Sequence, residues 1–186
     1  VSNLNSQKKF SNRKIDNLKN QVQQLVEEDK KMTQVMIDKV FSFGELGFQE
    51  FETSKYMGAI LEENGFDVEY QVSNIPTSWL ATWSNGEGGP VIALGSDFDG
   101  VPSTSQYPGV AYEKPVVEGA PGHGEGHNIG LPIVVTSALS LKKIMIENNI
   151  PGTLLIWPGV AEEILGSKAW YVRDGYFDDV DICIFT

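Results

Sequence analysis

The chain carries only two histidines, His123 and His127, and both fall in one segment, 122–128 (GHGEGHN). Gly122, Gly124 and Gly126 let the backbone there turn sharply and approach a site closely. Glu125 and His127 offer an oxygen and a nitrogen ligand suited to Zn²⁺, Mn²⁺ or a similar ion, and alternate residues of an extended segment point the same way. Taken by itself the segment also reads as a glycine-rich loop with capping polar residues. A second group is Glu162-Glu163. A hydrolytic metal site uses two different acids, one to hold the metal and one to take a proton from the attacking water and pass it to the leaving group. Neighbouring residues at a strand-to-helix turn can face metal and substrate respectively, although a helix N-terminus favours acids in any case. The third group is Asp97 and Asp99, which flank Phe98 and share a face of an extended backbone. One of them can orient a histidine ligand; the plainer alternative is a turn capped by aspartates.

These groups need elements to bring them together. Apolar residues at helical spacing predict a helix over 12–43, closed by Gly44, and a second over about 50–64, closed by Gly65. Alternation and short apolar runs predict strands at 66–72, 78–83, 91–94, 153–157 and 180–185, the third and last of them buried. An apolar helix is expected over 128–148 with Asn128 as its N-cap, and another from 161 or 162 to 173. Strands alternating with covering helices predict an α/β fold, three layers with a mixed or largely parallel sheet and helices on both faces. In such sheets sites form at the carboxyl ends of strands. Asp97/Asp99 follow one predicted strand and Glu162/Glu163 another, and 122–128 opens a helix after the long irregular stretch 103–126.

Composition narrows the partners. The 186 residues carry a net charge of −11, which argues against nucleic acid. The sequence shows no unbroken apolar run of about 20 residues, so no membrane partner is expected. One cysteine, Cys183, excludes an internal disulfide and a Cys-based zinc cage. Residues 1–31 hold seven basic and four acidic residues, against seven and 21 in the remainder. Residues 1–11 read as a flexible polar leader without an apolar signal-peptide core, which leaves a cytoplasmic and an exported, processed protein as alternatives.

Four segments in order carry a family resemblance: 45–50 (ELGFQE), 75–81 (IPTSWLA), 119–130 (GAPGHGEGHNIG) and 159–181 (GVAEEILGSKAWYVRDGYFDDVD), with 92–102 (IALGSDFDGVP) in the place of the family's strand and acidic turn. Together they resemble metallopeptidase family 20, of aminoacylase and glutamate carboxypeptidase type, and within it the aminobenzoyl-glutamate hydrolase branch. The resemblance implies a zinc-peptidase-like catalytic domain and a smaller dimerisation domain. It also implies two divalent ions, Zn or Mn, and hydrolysis of an amide in an N-acyl or aminobenzoyl amino acid or small peptide. Carried over by position, Glu162 is the general base, and His127 and Glu163 are metal ligands. Glu125 stands where this branch commonly has a cysteine ligand, and Asp99 is the acid supporting the site. Asp97, His123 and Asn128 are left as supporting or unassigned.

In this branch the final strand runs into a further ligand histidine, whereas this sequence ends at Thr186. Residues 12–186 are therefore expected to be the N-terminal part of a catalytic domain, without the dimerisation domain through which a homodimer would form. A non-catalytic relative or split subunit with a binding role, and a di- or aminopeptidase of the same family, are the alternatives.

Overall fold

A computed structural model describes residues 11–186. Ser11 caps α1 (Asn12–Glu28), and α2 (Lys30–Phe43) follows after a break at Asp29. The single helix expected over 12–43 is thus two. Glu27, Glu28 and Asp29 crowd the carboxyl end of α1, where the dipole disfavours acids and the last turn holds no basic residue; Lys30, just beyond, pairs with Glu27. The reading of a polar leader lies, apart from Ser11, outside the described residues.

After α2 come α3 (Phe51–Glu63), β1 (Asp67–Tyr70), β2 (Trp79–Asn85), β3 (Val91–Asp97), α4 (His127–Glu147), β4 (Gly152–Gly159), α5 (Lys168–Arg173) and β5 (Ile182–Phe185). The strand expected over 66–72 ends at Tyr70, because Gln71 turns left-handed into a 3₁₀ turn over Val72–Asn74. The helix expected over 161–173 is likewise split. Glu162–Ile164 form a 3₁₀ turn, and left-handed Leu165 and Ser167 at positive φ separate it from α5.

The five strands order β1-β2-β4-β3-β5. The first two pairings are antiparallel, and β4/β3 and β3/β5 are parallel, so the sheet is mixed. Side chains alternate across it. On one face lie Leu94, Ser96 and Ile156, against which α4 packs. On the other, Trp157 packs against Phe185 at a tilt and meets Phe177 and Tyr171 edge-on, the last from α5. Helices on both faces make the three layers. Gly95 sits between those aromatics by necessity, since a Cβ there would lie 2.4 Å from the Trp157 indole.

Two further expectations change. β5 is an exposed edge strand rather than a buried one, with Ile182 and Ile184 about half exposed, because β3 pairs with one of its edges only. α4 is by length and composition apolar enough to cross a membrane, contrary to the reading that no stretch reaches that length; here half of it is buried inside the molecule.

Candidate metal centre

The parallel pairing of β3 and β4 sets Asp97 beside Gly159, so both strands end at one level. From β3 the chain continues through Phe98 and Asp99, and from β4 through Val160 and Ala161 into the Glu162–Ile164 turn. The 103–126 loop is drawn back to this rim. Val101 and Gly122 pair through two backbone hydrogen bonds, and the Thr104 hydroxyl donates to their carbonyls at 2.8 Å. Gly122 fits only without a side chain, because a Cβ would lie 2.6 Å from the Thr104 carbonyl oxygen. α4 then starts at His127 with Gly126 in the cap position; Asn128 lies buried in the first turn and is not the N-cap.

This arrangement brings Glu125, His127, Glu162 and Glu163 together, with one ligand atom from each within 4.8 Å of all the others. Asp99 organises them. Its buried carboxylate accepts the backbone N–H of Glu162 on Oδ1 and of Glu163 on Oδ2, each at 3.1 Å. His127 donates from Nδ1 to the Asp99 carbonyl oxygen at 3.0 Å. In the neutral imidazole that bond selects the tautomer whose free Nε2 lone pair faces the cluster, 3.6 Å from Glu125 Oε2.

The electrostatics would suit a cation. The Asp99 carboxylate, 3.5 Å from Nδ1, outweighs burial and lifts His127 to about 9. Burial, then the Glu125 carboxylate, raises Glu163, and its Oε1 is buried with no hydrogen-bond partner. Three carboxylates around an imidazole leave an excess of negative charge that a divalent cation would neutralise, and the donor set of oxygen and nitrogen suits Zn²⁺ or Mn²⁺.

The other candidates stand apart from the cluster. Asp97 pairs with Lys168 Nζ at 2.9 Å on α5; burial outweighs the ammonium and raises its pKa to about 6. His123 shares an edge with α2 instead, its Nε2 3.1 Å from the Val40 carbonyl oxygen, and burial lowers its pKa. Two carboxylates have roles that their local sequence does not signal. Glu45 caps α3, accepting the N–H groups of Glu52 and Thr53. Glu50 is buried and accepts the Ala161 N–H at 2.9 Å and the Thr77 hydroxyl at 2.8 Å. Both lie in the 45–50 segment, but the partners of Glu50 are 27 and 111 positions away and leave no local pattern.

Fold and cluster together give a mixed α/β sheet with a candidate metal centre at its strand ends. No protein-family model matches the chain, but individual proteins do. Over 159 residues (86% of the chain and 33% of the relative) it is 33% identical to a subunit of the p-aminobenzoyl-glutamate hydrolase of Escherichia coli (strain K12). Over 139 residues (74% and 33%) it is 30% identical to hippurate hydrolase of Campylobacter jejuni. Among solved structures, an aminobenzoyl-glutamate utilization protein from Klebsiella pneumoniae superposes with a TM-score of 0.67 at 14% identity, over 89% of this chain and 45% of that one. A dinuclear metal binding peptidase of the M20 family from Bacillus subtilis gives 0.62 at 22% identity, over 84% and 43%. The chain thus resembles curated amidohydrolases in sequence and shares its fold with a peptidase of the M20 family. It spans about a third of the length of the curated relatives it matches.

Proposed function

We propose that residues 12–186 form the N-terminal part of the catalytic domain of a metal-dependent amidohydrolase. Its substrate would be an N-acyl or aminobenzoyl amino acid, or a small peptide. The observation that carries this is the convergence of Glu125, His127, Glu162 and Glu163 within 4.8 Å at the ends of two parallel strands. Resemblance to hydrolases of p-aminobenzoyl-glutamate and hippurate supports the substrate class. His127 and Glu163, with Glu125 as an oxygen donor in the place of a thiolate, would hold metal; two divalent ions, Zn or Mn, are proposed for the whole enzyme, which would act as a homodimer. Bound cations supply Lewis-acid polarisation of the scissile carbonyl and make water acidic at neutral pH.

The chain's own residues do the rest. Glu162 takes a proton from the attacking water as its oxygen bonds to the carbonyl carbon, then delivers that proton to the nitrogen as the C–N bond breaks. Asp99 holds the backbone from which Glu162 and Glu163 project and fixes the His127 tautomer. The test is a hydrolysis panel of N-acyl amino acids, aminobenzoyl-glutamate and dipeptides, run with metal analysis. Glu162→Gln should lower turnover by about 10²–10⁴-fold with metal content retained, whereas Glu163→Gln should lose metal. Unchanged turnover in Glu162→Gln would overturn the assignment of the base. A protein that takes up no Zn²⁺ or Mn²⁺ would overturn the site.

A further inference from the structure

The turn carrying the two glutamates hangs on buried carboxylates from elsewhere in the chain. Three consecutive N–H groups are involved. Those of Glu162 and Glu163 go to Asp99, and the one before them, from Ala161, goes to Glu50 Oε1 at 2.9 Å. Ala161 is the pivot of the turn. It holds a left-handed conformation (φ 54°, ψ 43°) rarely adopted by residues with a side chain, and its carbonyl accepts the Gly166 N–H that closes the turn. Glu50 is fully buried, and its second oxygen accepts the Thr77 hydroxyl. Among the described residues no basic side chain pairs with it. A buried carboxylate without a counter-charge is costly unless its oxygens are hydrogen-bonded, and here both are, one of them to the pivot of the turn.

We infer that Glu50 is a positioning residue of the site: by holding the Ala161 N–H it fixes the direction in which Glu162 and Glu163 leave the strand. The inference rests on the reading of those glutamates as base and metal ligand. It depends on the acceptor oxygen, not on side-chain bulk, and two variants of similar size separate these. Glu50→Gln keeps an acceptor for Ala161 and turns its amide to the Thr77 hydroxyl, which can accept as well as donate. Glu50→Met fills the same space and orphans the Ala161 N–H.

Zn²⁺ or Mn²⁺ alone is titrated into each metal-free protein, and hydrogen exchange is followed across 160–164. Glu50→Met should weaken metal binding by about 10–100-fold, as loss of a group supporting a ligand does. Its 160–164 amides should also exchange faster while those of α4 and β3 do not. Glu50→Gln should stay within about threefold of the parent in affinity, by the same reasoning. A folded Glu50→Met with parental affinity and parental exchange at 160–164 overturns the inference. If Glu50→Met does not fold, Glu50→Asp takes its place: it keeps the charge but is too short to reach Ala161 and Thr77 together, and the same two outcomes apply. If the parent binds neither ion, the metal reading fails by itself, and exchange at 160–164 still decides the role of Glu50.

Discussion

Replacing Asp99 by Asn tests the organisation of the centre in a single atom. The carboxylate is buried and accepts two backbone N–H groups, one on each oxygen, at 3.1 Å. Asn offers one oxygen, so whichever way it turns, one N–H of the Glu162–Glu163 pair is left facing an amide donor. A hydrogen bond to a charged group contributes about 1.5–3 kcal/mol, and an orphaned donor adds its desolvation cost, so Asp99→Asn should destabilise by about 3 kcal/mol. With a urea dependence of about 2 kcal/mol per molar, the unfolding midpoint should fall by about 1.5 M.

The same substitution has a signature in charge. Asp99 is the largest influence lifting His127 from 6.5 to about 9. With a chelator present, an NMR titration of Asp99→Asn should show this imidazole moved back toward 6.5. The sign follows by linkage. A raised histidine contributes stability that is fully present below 6.5 and is lost as pH rises through about 9. The gap between parent and variant should therefore be widest in mild acid and narrow in alkali. A variant whose midpoint lies within about 0.3 M of the parent, well below the shift expected for two charged hydrogen bonds, would refute the reasoning if His127 also still titrated near 9.

Other perturbations address the cation, the flanking histidine and the sheet. At about 100 times its dissociation constant, Zn²⁺ or Mn²⁺ should add about 2.7 kcal/mol to the unfolding free energy; thermal melts with and without EDTA should show this gain in the parent and its loss in Glu163→Gln. Burial depresses the pKa of His123, so its contribution to stability is present above 6.5 and is lost as pH falls through the depressed value. His123→Gln should flatten the drop in melting temperature between about pH 7 and about pH 5, and an unchanged slope would rule out this histidine as its source. Gly95→Ala would set a methyl group 2.4 Å from Trp157. It should cost about 1–3 kcal/mol by overpacking, and an undisturbed denaturation curve would contradict the packing of that sheet face.

The parts of the fold legible in the sequence were those written in local pattern. The apolar helix over α4, the β3 and β4 runs, and the acids at or just beyond their ends all follow from periodicity and from where open α/β sheets build sites. What was not legible depended on backbone conformation or on distant partners. Nothing in the helical spacing of 161–173 shows that Leu165 and Ser167 take positive φ and break it. Asp97 and Asp99 are chemically alike and two positions apart, yet one is claimed by Lys168 and the other by the Glu162–Glu163 backbone. Choosing between them required the resemblance to a family. His123 and His127 were equally plausible ligands by type; the docking of the loop on α2 directs one to Val40 and leaves the other at the cluster.

Charge accounting at this end of the sheet gives the cation reading its physical basis. Six carboxylates gather there: Glu50, Asp97, Asp99, Glu125, Glu162 and Glu163. The buried three are answered within the protein. Glu50 and Asp99 take backbone N–H groups, and Asp97 takes the Lys168 ammonium. Among the described residues the remaining three have His127 as their one cationic neighbour, and it already gives its Nδ1 proton to the Asp99 carbonyl. With Glu163 Oε1 buried and unpartnered, the cluster lacks a positive charge where its donors converge. Without metal the protein answers by holding protons, on His127 up to about 9 and on Glu163 above its ordinary range. A divalent ion would displace those protons, so metal uptake should release protons and weaken as the solution is acidified. The buried acids make that exchange sharp, because they hold the donors in place whether the neutralising charge is a proton or a metal.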